Sequence, residues 1–453
     1  MSDGRKPLQG LTAALKDRLI QESLQRRVRK TRQEPAARAP IPADGSAQRA
    51  DIPESWCRFD GHPGYQQLRI LSEGALRLGV GNPYFHVHEG VAGASTVING
   101  ETRVNYSSYN YLGLAGHPAV SAAAKAAIDR YGTSTSASRL VSGERPIHRE
   151  LERALAELHG VDDAIVFVSG HATNVSTIAT LFGPRDLVVH DALIHNSAVI
   201  GIQLSGAARM SFAHNDWRAL DRLLSEHRRQ HERALVLLEG VYSMDGDIPE
   251  LPQFVEIKRR HHAFLMVDEA HSLGVLGEGG LGIQQHFGLD GREVDIWMGT
   301  LSKTLASCGG YIAGERTLIE HLKCAAPGFV YSVGMPPSAA AAALEALRLL
   351  RTEPQRARTL RARGKLFFDR AAAAGIDTGL SAGLSIIPAI TRSSLKAARL
   401  AEALARRRIN VQPIIHPAVA ERGARLRFFL SSEHTDEQIR STVDALATEW
   451  RRL

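Results

Sequence analysis

Short apolar runs alternate with amphipathic stretches through the middle of this chain. Five runs are strand-like, at residues 164–168, 187–190, 234–239, 263–268 and 296–298. Stretches with the apolar spacing of helices lie between them, for example 147–159 and 251–261. Strands that alternate with helices predict an α/β fold, in which a mostly parallel sheet is covered by helices on both faces.

Composition divides the 453 residues into four predicted parts. Residues 1–53 are predicted to form a basic amphipathic helix with a flexible linker, and residues 54–105 an N-terminal segment. Residues 106–345 are predicted to form a large domain, and residues 346–453 a small C-terminal domain. The helix is expected within 10–29, where apolar residues recur every three to five positions. Strand-like runs at 384–390 and 426–430 give the small domain an α+β character.

The charge of the chain is concentrated in its first forty residues. These residues contain ten Lys and Arg against four acids, whereas the whole chain has 55 against 48 and is otherwise nearly neutral. The basic segment lacks the interleaved aromatic residues that stack on nucleic acid bases, so no nucleic acid partner is predicted. No apolar run is long enough for a transmembrane segment or a signal peptide, which predicts a cytoplasmic protein. The three cysteines lack CxxC spacing, and no metal site is predicted.

Two charged residues follow predicted strands that should end at the same edge of the sheet. Asp268 ends the run 263–268, and Lys303 comes shortly after 296–298 among hydroxyl residues. The chain has only nine lysines against 46 arginines. A lysine in a sheltered position between a strand and a loop is therefore not expected to be an ordinary solvated surface charge. An aspartate at the end of a strand caps the following helix about as often as it has a functional role, so Asp268 alone does not indicate a site. The letters Asp-Glu-Ala-His at 268–271 also occur in helicases, but the GxxxxGK[ST] phosphate loop of such ATPases is missing from the sequence.

A lysine and an aspartate in this arrangement are the two groups that pyridoxal phosphate (PLP) requires. The amine forms a Schiff base with the aldehyde, and the carboxylate keeps the pyridine nitrogen protonated. Residues 169–174 follow a strand and open a helix, so their backbone N–H groups can face a phosphate. Thr300 and Ser302 can add hydroxyl donors. The residues therefore predict PLP as cofactor.

Seven stretches and one glycine occur in an order typical of a known family. They are Tyr109-Asn-Tyr-Leu-Gly-Leu, Tyr131-Gly-Thr-Ser-Thr-Ser-Ala-Ser-Arg139, Gly143, Asp191-Ala-Leu-Ile-His195, Leu238-Glu-Gly-Val-Tyr-Ser-Met-Asp-Gly246, Val267-Asp-Glu-Ala-His-Ser272, Gly299-Thr-Leu-Ser-Lys303 and Tyr331-Ser-Val-Gly-Met-Pro-Pro337. Over about residues 80–445 the sequence resembles the α-oxoamine synthase family of fold-type I PLP enzymes, which includes 8-amino-7-oxononanoate synthase and serine palmitoyltransferase. The resemblance implies a fold-type I PLP-dependent transferase with a smaller C-terminal α+β domain.

The resemblance also implies roles for individual residues. The implied catalytic residues are Lys303, Asp268, His271 and His195. Lys303 would form the Schiff base, and Asp268 would contact the ring nitrogen. His271 would contact the ring hydroxyl and the substrate carbonyl, whereas His195 would stack on the ring near the substrate carboxylate. The other implied cofactor contacts are Gly170, His171, Ser243, Thr300, Ser302 and Ser332. Ser332 lies within the segment 331–337, which is expected to reach the active site of the neighbouring subunit in a homodimer. The implied substrate contacts are Arg427, Tyr109 and His195. Arg425 remains an alternative to Arg427, because period-two alternation places both on one face of a strand.

The implied reaction is a decarboxylative Claisen condensation. A small amino acid (Gly, Ala or Ser) would react with an acyl thioester, on coenzyme A or an acyl carrier protein, to give an α-amino ketone, carbon dioxide and a free thiol. Another fold-type I enzyme, an aminotransferase or decarboxylase, is an alternative; a catalytically inactive partner subunit is a second, which Lys303 disfavours. Residues 416–420 depart from the family pattern and leave the acyl chain open.

The basic segment 1–50 is expected to meet an acidic surface. An acyl carrier protein is the favoured partner, because the reaction needs a thioester and such carriers present acidic helices. An anionic membrane surface is the rival, and an extension without a partner is equally compatible with the sequence.

Overall fold

The computed structural model describes Glu22, residues 52–79 and residues 81–453, and the chain forms two compact units, residues 1–85 and 86–453. In the first unit, two 3-10 turns precede helix α1, Pro63–Arg77. His62 caps this helix by accepting a hydrogen bond from the N–H of Gly64. The helix predicted within 10–29 lies outside the described residues apart from Glu22, and so does nearly all of the predicted linker.

The second unit begins with a β-hairpin. Strands β1, Ser95–Ile98, and β2, Glu101–Asn105, pair antiparallel across a two-residue turn. Asn99 and Gly100 form this turn and both have positive φ, at 54° and 75°. Such a turn has the twist that matches the two strands, which explains why Asn-Gly is found there.

A seven-stranded sheet forms the centre of the second unit. Its strands in chain order are β3 (Asp163–Phe167), β4 (Leu187–Asp191), β5 (Ala208–Phe212), β6 (Ala234–Glu239), β7 (Phe264–Asp268), β8 (Ile296–Thr300) and β9 (Gly310–Gly314). Their spatial order is β3-β9-β8-β7-β6-β4-β5. Every pairing is parallel except the two that β9 makes with β3 and β8. The predicted mostly parallel sheet is therefore confirmed.

Helices cover both faces of this sheet. In chain order they are α2 (Pro118–Tyr131), α3 (Pro146–His159), α4 (Gly170–Leu181), α5 (Asn196–Ser205), α6 (Trp217–His227), α7 (Leu251–Arg260), α8 (Ile283–Phe287), α9 (Arg316–Ala325), α10 (Pro327–Val330) and α11 (Pro337–Thr352). Successive residues of a strand point to opposite faces. Along β6, Val236 and Leu238 belong to one buried cluster, and Leu235 and Leu237 belong to the other. The strands read as continuous apolar runs because both faces are buried.

The C-terminal part adds three helices, one small sheet, and one strand that extends the β1–β2 hairpin. Its elements are α12 (Gln355–Ala373), β10 (Ile386–Ile390), α13 (Ser394–Arg406), β11 (Ile409–Asn410), β12 (Gln412–Ile414), β13 (Arg425–Phe429) and α14 (Asp436–Trp450). β10, β13 and β12 form an antiparallel sheet, whereas β11 joins the β1–β2 hairpin. Within the described residues, we find no helix that is both long and apolar enough to cross a membrane.

The carboxyl ends of the parallel strands place polar side chains at one edge of the large sheet. β4, β6, β7 and β8 end in Asp191, Glu239, Asp268 and Thr300, respectively. The register pairs Glu239 directly with Asp268. This is the edge at which ligands bind in open α/β sheets.

Candidate active site

A cavity of about 400 Å³ opens at this edge of the sheet. Its lining is formed by Tyr109, Ser169, Gly170, His171, Asn174, His195, Ser197, Glu239, Ser243, Met244, Asp268, Ala270, His271, Met298, Thr300, Ser302, Lys303, Cys308, Gly309 and Arg427. All the predicted site residues are in this lining except Ser332. Most of these residues lie in the connections that follow β3, β4, β6, β7 and β8, whereas Tyr109 follows β2 and Arg427 lies on β13.

Asp268 is held in place by two hydrogen bonds from neighbouring elements. The side-chain amide of Asn174, on α4, donates to Oδ2 at 3.0 Å, and the N–H of Ala270 donates to Oδ1 at 2.9 Å. N–H donors stabilise the ionised form of a carboxyl group. The carboxyl group of Asp268 is therefore fixed in orientation in the lining of the cavity.

The N-terminus of α4 forms an anion cradle with the residues that follow β8. Ser169 caps the helix by accepting a hydrogen bond from the N–H of Ala172, and the first N–H groups of a helix have no acceptor within it. A Cβ on Gly170 would lie 2.9 Å from Oγ1 of Thr300, so only glycine permits this close approach. The hydroxyls of Thr300 and Ser302 lie 2.8 Å apart. Backbone N–H groups and hydroxyls of this kind suit a phosphate group.

Lys303 enters the cavity from the loop after β8. Burial lowers the pKa of its ammonium group, and attraction to the Asp268 and Glu239 carboxyls only partly opposes this shift. Its Nζ lies 5.7 Å from the ring centroid of Tyr109. A lysine with a lowered pKa carries more of the neutral amine, which is the nucleophilic form.

The two predicted histidines are both oriented by neighbouring groups. His195 caps α5: its Nδ1 accepts a hydrogen bond from the N–H of Ser197 and lies 2.7 Å from the Oγ of the same residue. That Oγ accepts a hydrogen bond from the side-chain amide of Asn174. The Nδ1 of His271 lies 2.7 Å from the hydroxyl of the buried Tyr111. Burial lowers the pKa of both imidazoles, so both are neutral at physiological pH.

Arg425 and Arg427 differ in their partners although they share a face of β13. Arg425 forms a buried ion pair with Asp245 at 2.7 Å. Arg427 lines the cavity, donates from Nη1 to the carbonyl of Ser243 at 2.9 Å, and has an Nε without a partner among the described residues. Arg427 is therefore the arginine with donors left for a ligand.

His214 joins two loops that contribute to the cavity. Its Nδ1 lies 2.9 Å from Asp191, at the start of the loop that carries His195, and its Nε2 lies 2.7 Å from Asp247. Burial alone would lower the pKa of this imidazole, but the two carboxylates raise it to about 10. His214 is therefore a partly buried cation between two carboxyl groups.

We expect His214→Ala to destabilise the protein by about 3 kcal/mol, because two buried carboxylates lose their counter-charge. The folded-state pKa lies above the unfolded value, so the stabilising contribution is complete below about pH 6.5 and is lost as the pH rises towards about 10. Urea unfolding of wild type and variant at several pH values measures this. A stability difference that grew with pH across that window would contradict the assignment.

Several residues of the site were not assigned roles from the sequence. Asn174, Ser197 and Tyr111 hold the predicted residues in place, and Glu239 contributes a second buried carboxyl group. Asn174 and Glu239 lie within motifs noted in the sequence, but their neighbours come from other elements. Ser332 does not reach the cavity of its own chain and lies between the exposed Tyr331 and Val333.

The arrangement fits PLP. The fixed carboxylate suits a protonated ring nitrogen, the anion cradle suits a phosphate, and the lysine amine suits an aldehyde. Each of the three belongs to the lining of one cavity of suitable size for a small cofactor and substrate.

Comparisons with known proteins agree with the geometry. Residues 101–446 match the family model described as aminotransferase class I and II. The chain is 41% identical to 8-amino-7-oxononanoate synthase of Fervidobacterium nodosum over 359 residues, covering 79% of this chain and 90% of the relative. The synthase of Methylococcus capsulatus is also 41% identical, with 78% of this chain and 90% of the relative covered.

Solved structures show the same fold. Serine palmitoyltransferase of Sphingomonas wittichii is similar with a TM-score of 0.82 and 32% identity, covering 86% of this chain and 98% of that chain. The enzyme of S. paucimobilis, solved with a PLP–myriocin aldimine, has a TM-score of 0.82, 31% identity and the same coverage. The sequence match and the structural match together identify the chain as a fold-type I, PLP-dependent member of the α-oxoamine synthases within the aminotransferase class I and II family.

Proposed function

We propose that this chain condenses a small amino acid, Gly, Ala or Ser, with an acyl thioester, releasing carbon dioxide, the free thiol and an α-amino ketone. The observation that carries this proposal is the meeting of Lys303, Asp268, the anion cradle and Arg427 around one cavity. The 8-amino-7-oxononanoate synthases at about 40% identity support the reaction class.

The residues that would hold PLP follow from the fit of the site. Asp268 would hold the ring nitrogen, Lys303 the aldehyde carbon, and the cradle of Gly170, His171, Thr300 and Ser302 the phosphate. Ser243 and His195 would lie against the ring. When bound, PLP supplies a ring that accepts the electrons of a carbanion at the α-carbon of the amino acid.

The protein groups around the reacting atoms have separate tasks. The amine of Lys303 would take the α-proton, which its lowered pKa permits at neutral pH. Tyr111, kept protonated by burial, donates to Nδ1 of His271, so the imidazole proton sits on Nε2 and can be donated to the thioester carbonyl. Arg427 would bind the amino acid carboxylate through its planar guanidinium.

A screen of Gly, Ala and Ser against acyl-CoAs and acyl carrier proteins tests the proposal. Labelled carbon dioxide should be released from the carboxyl carbon only when the amino acid and a thioester are both present, and mass spectrometry should find the α-amino ketone. Release of carbon dioxide without a thioester would indicate a decarboxylase instead. Amino-group transfer to a keto acid, without carbon–carbon bond formation, would indicate an aminotransferase.

We also propose a homodimer in which Ser332 of one subunit serves the cavity of the other. The exposure of Tyr331, 86%, beside a segment that does not line its own cavity supports this arrangement. Ser332→Asp should weaken PLP binding, because a negative charge would face the phosphate. Mixing this variant with Lys303→Ala should restore one complete site per heterodimer, and mixtures without restored activity would refute the exchange.

The basic segment supports a docking role in the same reaction. Ten basic against four acidic residues within 1–40 would attract an acidic acyl carrier protein. A variant lacking residues 1–50 should lose efficiency with the carrier-bound acyl group but keep it with acyl-CoA, and rising salt should remove the difference between the two proteins. Equal efficiency with both donors after truncation would refute docking, and vesicle binding that depends on the segment would assign it to a membrane surface.

A further inference from the structure

Glu239 is a second carboxyl group at the floor of the active-site cavity. It ends β6, lies directly opposite Asp268 in the parallel register, and is 3% exposed. Its side chain lines the cavity together with Lys303 and Arg427. The role assigned to Asp268 leaves this buried acid unexplained.

The two oxygens of Glu239 have different surroundings. Oε2 accepts a hydrogen bond from the N–H of Ser243 at 3.3 Å, and the N–H of His195 also favours the charged form. Oε1 is buried and has no hydrogen-bond partner among the described residues. A buried, unpartnered oxygen of a carboxylate is costly, whereas a hydroxyl at the same position can donate to whatever fills the cavity.

We propose that Glu239 is a neutral carboxylic acid in the resting enzyme, with its proton on Oε1, the buried oxygen that has no hydrogen-bond partner among the described residues. Of the two acids that face Lys303 in the described part of the chain, Asp268 is then the one that can carry a negative charge. In this form Glu239 is a positioning residue: it accepts from the backbone of the loop that carries Ser243, and it presents a neutral donor instead of a second negative charge.

The charges that face Glu239 favour this protonation state. Burial raises its pKa, and Asp268, on the neighbouring strand, raises it further; Lys303 acts in the opposite direction. His195 and His271 are neutral, and Arg427 is held by the Ser243 carbonyl. Asp268 has two N–H donors, at 3.0 and 2.9 Å, whereas Oε1 of Glu239 has none among the described residues, so the proton is assigned to Glu239.

The proposal has a consequence for Lys303. If Glu239 were ionised, it would raise the pKa of Lys303 and keep this lysine as ammonium, because a nearby carboxylate attracts the charged form. A neutral Glu239 therefore leaves more of the amine in its reactive form. The inference rests on the proposed function only in the role that it gives to the Lys303 amine. The protonation state of Glu239 itself can be tested without turnover.

Infrared spectroscopy of the full-length holoenzyme near neutral pH tests the state directly. The difference between wild type and Glu239→Gln should show the C=O stretching band of one protonated carboxyl group, shifted in heavy water. Bands from other buried acids, such as Glu269, cancel in this difference. A difference spectrum with carboxylate bands and no protonated band would overturn the proposal.

Competitive labelling of Lys303 in the full-length protein freed of PLP supplies a second measurement. Glu239→Gln should leave the pKa of Lys303 close to wild type, because the amide replaces a neutral acid of the same shape. Asp268→Asn is the matched control and should lower that pKa by about one unit or more, because it removes a real negative charge. An equal fall in Glu239→Gln would overturn the proposal.

The folding of Glu239→Gln is itself informative. The amide keeps an acceptor for the N–H of Ser243, so the variant should fold and bind PLP with an affinity near wild type, as measured by equilibrium dialysis. Failure to fold, or a tenfold loss of PLP affinity, would count against a neutral Glu239. Neither readout involves the amino acid or the thioester, so failure of the proposed reaction would leave this test intact.

Discussion

The Lys303→Ala protein is expected to lose the visible absorbance of lysine-bound PLP and to lose turnover. Lys303 is the lysine in the cavity lining, and its lowered pKa makes it the nucleophile of the site. Loss of a residue that acts as both covalent anchor and base should reduce kcat by at least roughly 10³-fold. Absorbance spectroscopy and steady-state kinetics on the same preparation measure both effects.

Reduction with borohydride followed by peptide mapping identifies the lysine independently of activity. The label should appear on Lys303 in the wild type and should be missing from Lys303→Ala. Lys365→Ala is a matched control, because this exposed lysine pairs with Asp369 on the same helix, away from the cavity lining, and its loss should change neither result. Label on another lysine would show that the cofactor is bound elsewhere.

Arg427→Ala is expected to raise KM for the amino acid about thirty-fold. Loss of a charged hydrogen-bonding partner costs about 2 kcal/mol, and each 1.4 kcal/mol corresponds to a factor of ten. Arg427→Lys should recover only part of the loss, because an ammonium group cannot bind a carboxylate through two parallel hydrogen bonds. Steady-state kinetics with the amino acid varied at saturating thioester measures the change.

Arg425→Ala is the natural control for Arg427→Ala. Its guanidinium is engaged by Asp245, so its removal leaves a buried carboxylate unpaired and should destabilise the fold by about 3 kcal/mol. KM for the amino acid should change little. If Arg425→Ala raised KM and Arg427→Ala did not, the two arginines would exchange roles.

The sequence predicted the location of the site because carboxyl ends of parallel strands share one edge. Asp268 and Lys303 follow apolar runs, and this sufficed to expect them close together. Glu239 also ends such a run, but only the strand order shows that its neighbour is Asp268. Strand order depends on how the helices pack, which a single sequence does not reveal.

The sequence did not predict the hydrogen-bonding and ion-pair partners of individual side chains as well as it predicted the location of the site. Alternation along β13 could not separate Arg425 from Arg427, since the difference lies in Asp245, which is 180 residues away in the chain. His214 meets Asp191 and Asp247 across 23 and 33 residues, and no spacing rule links such positions. Long-range pairs of this kind arise from tertiary packing alone.

The antiparallel strand β9 has a mechanical consequence for Lys303. Because β9 returns beside β8, the segment from Leu301 to Gly309 is the loop of a hairpin whose two ends are joined by a hydrogen bond from Leu301 N to Gly309 O at 2.9 Å. Internal bonds, from Ala306 N to Lys303 O and from Ser307 N to Leu301 O, tighten it further. Lys303 thus lies on a short closed loop whose ends are held by two adjacent strands of the large sheet. The loop therefore holds the backbone of Lys303 in place and leaves the side chain to reach its bonding partners.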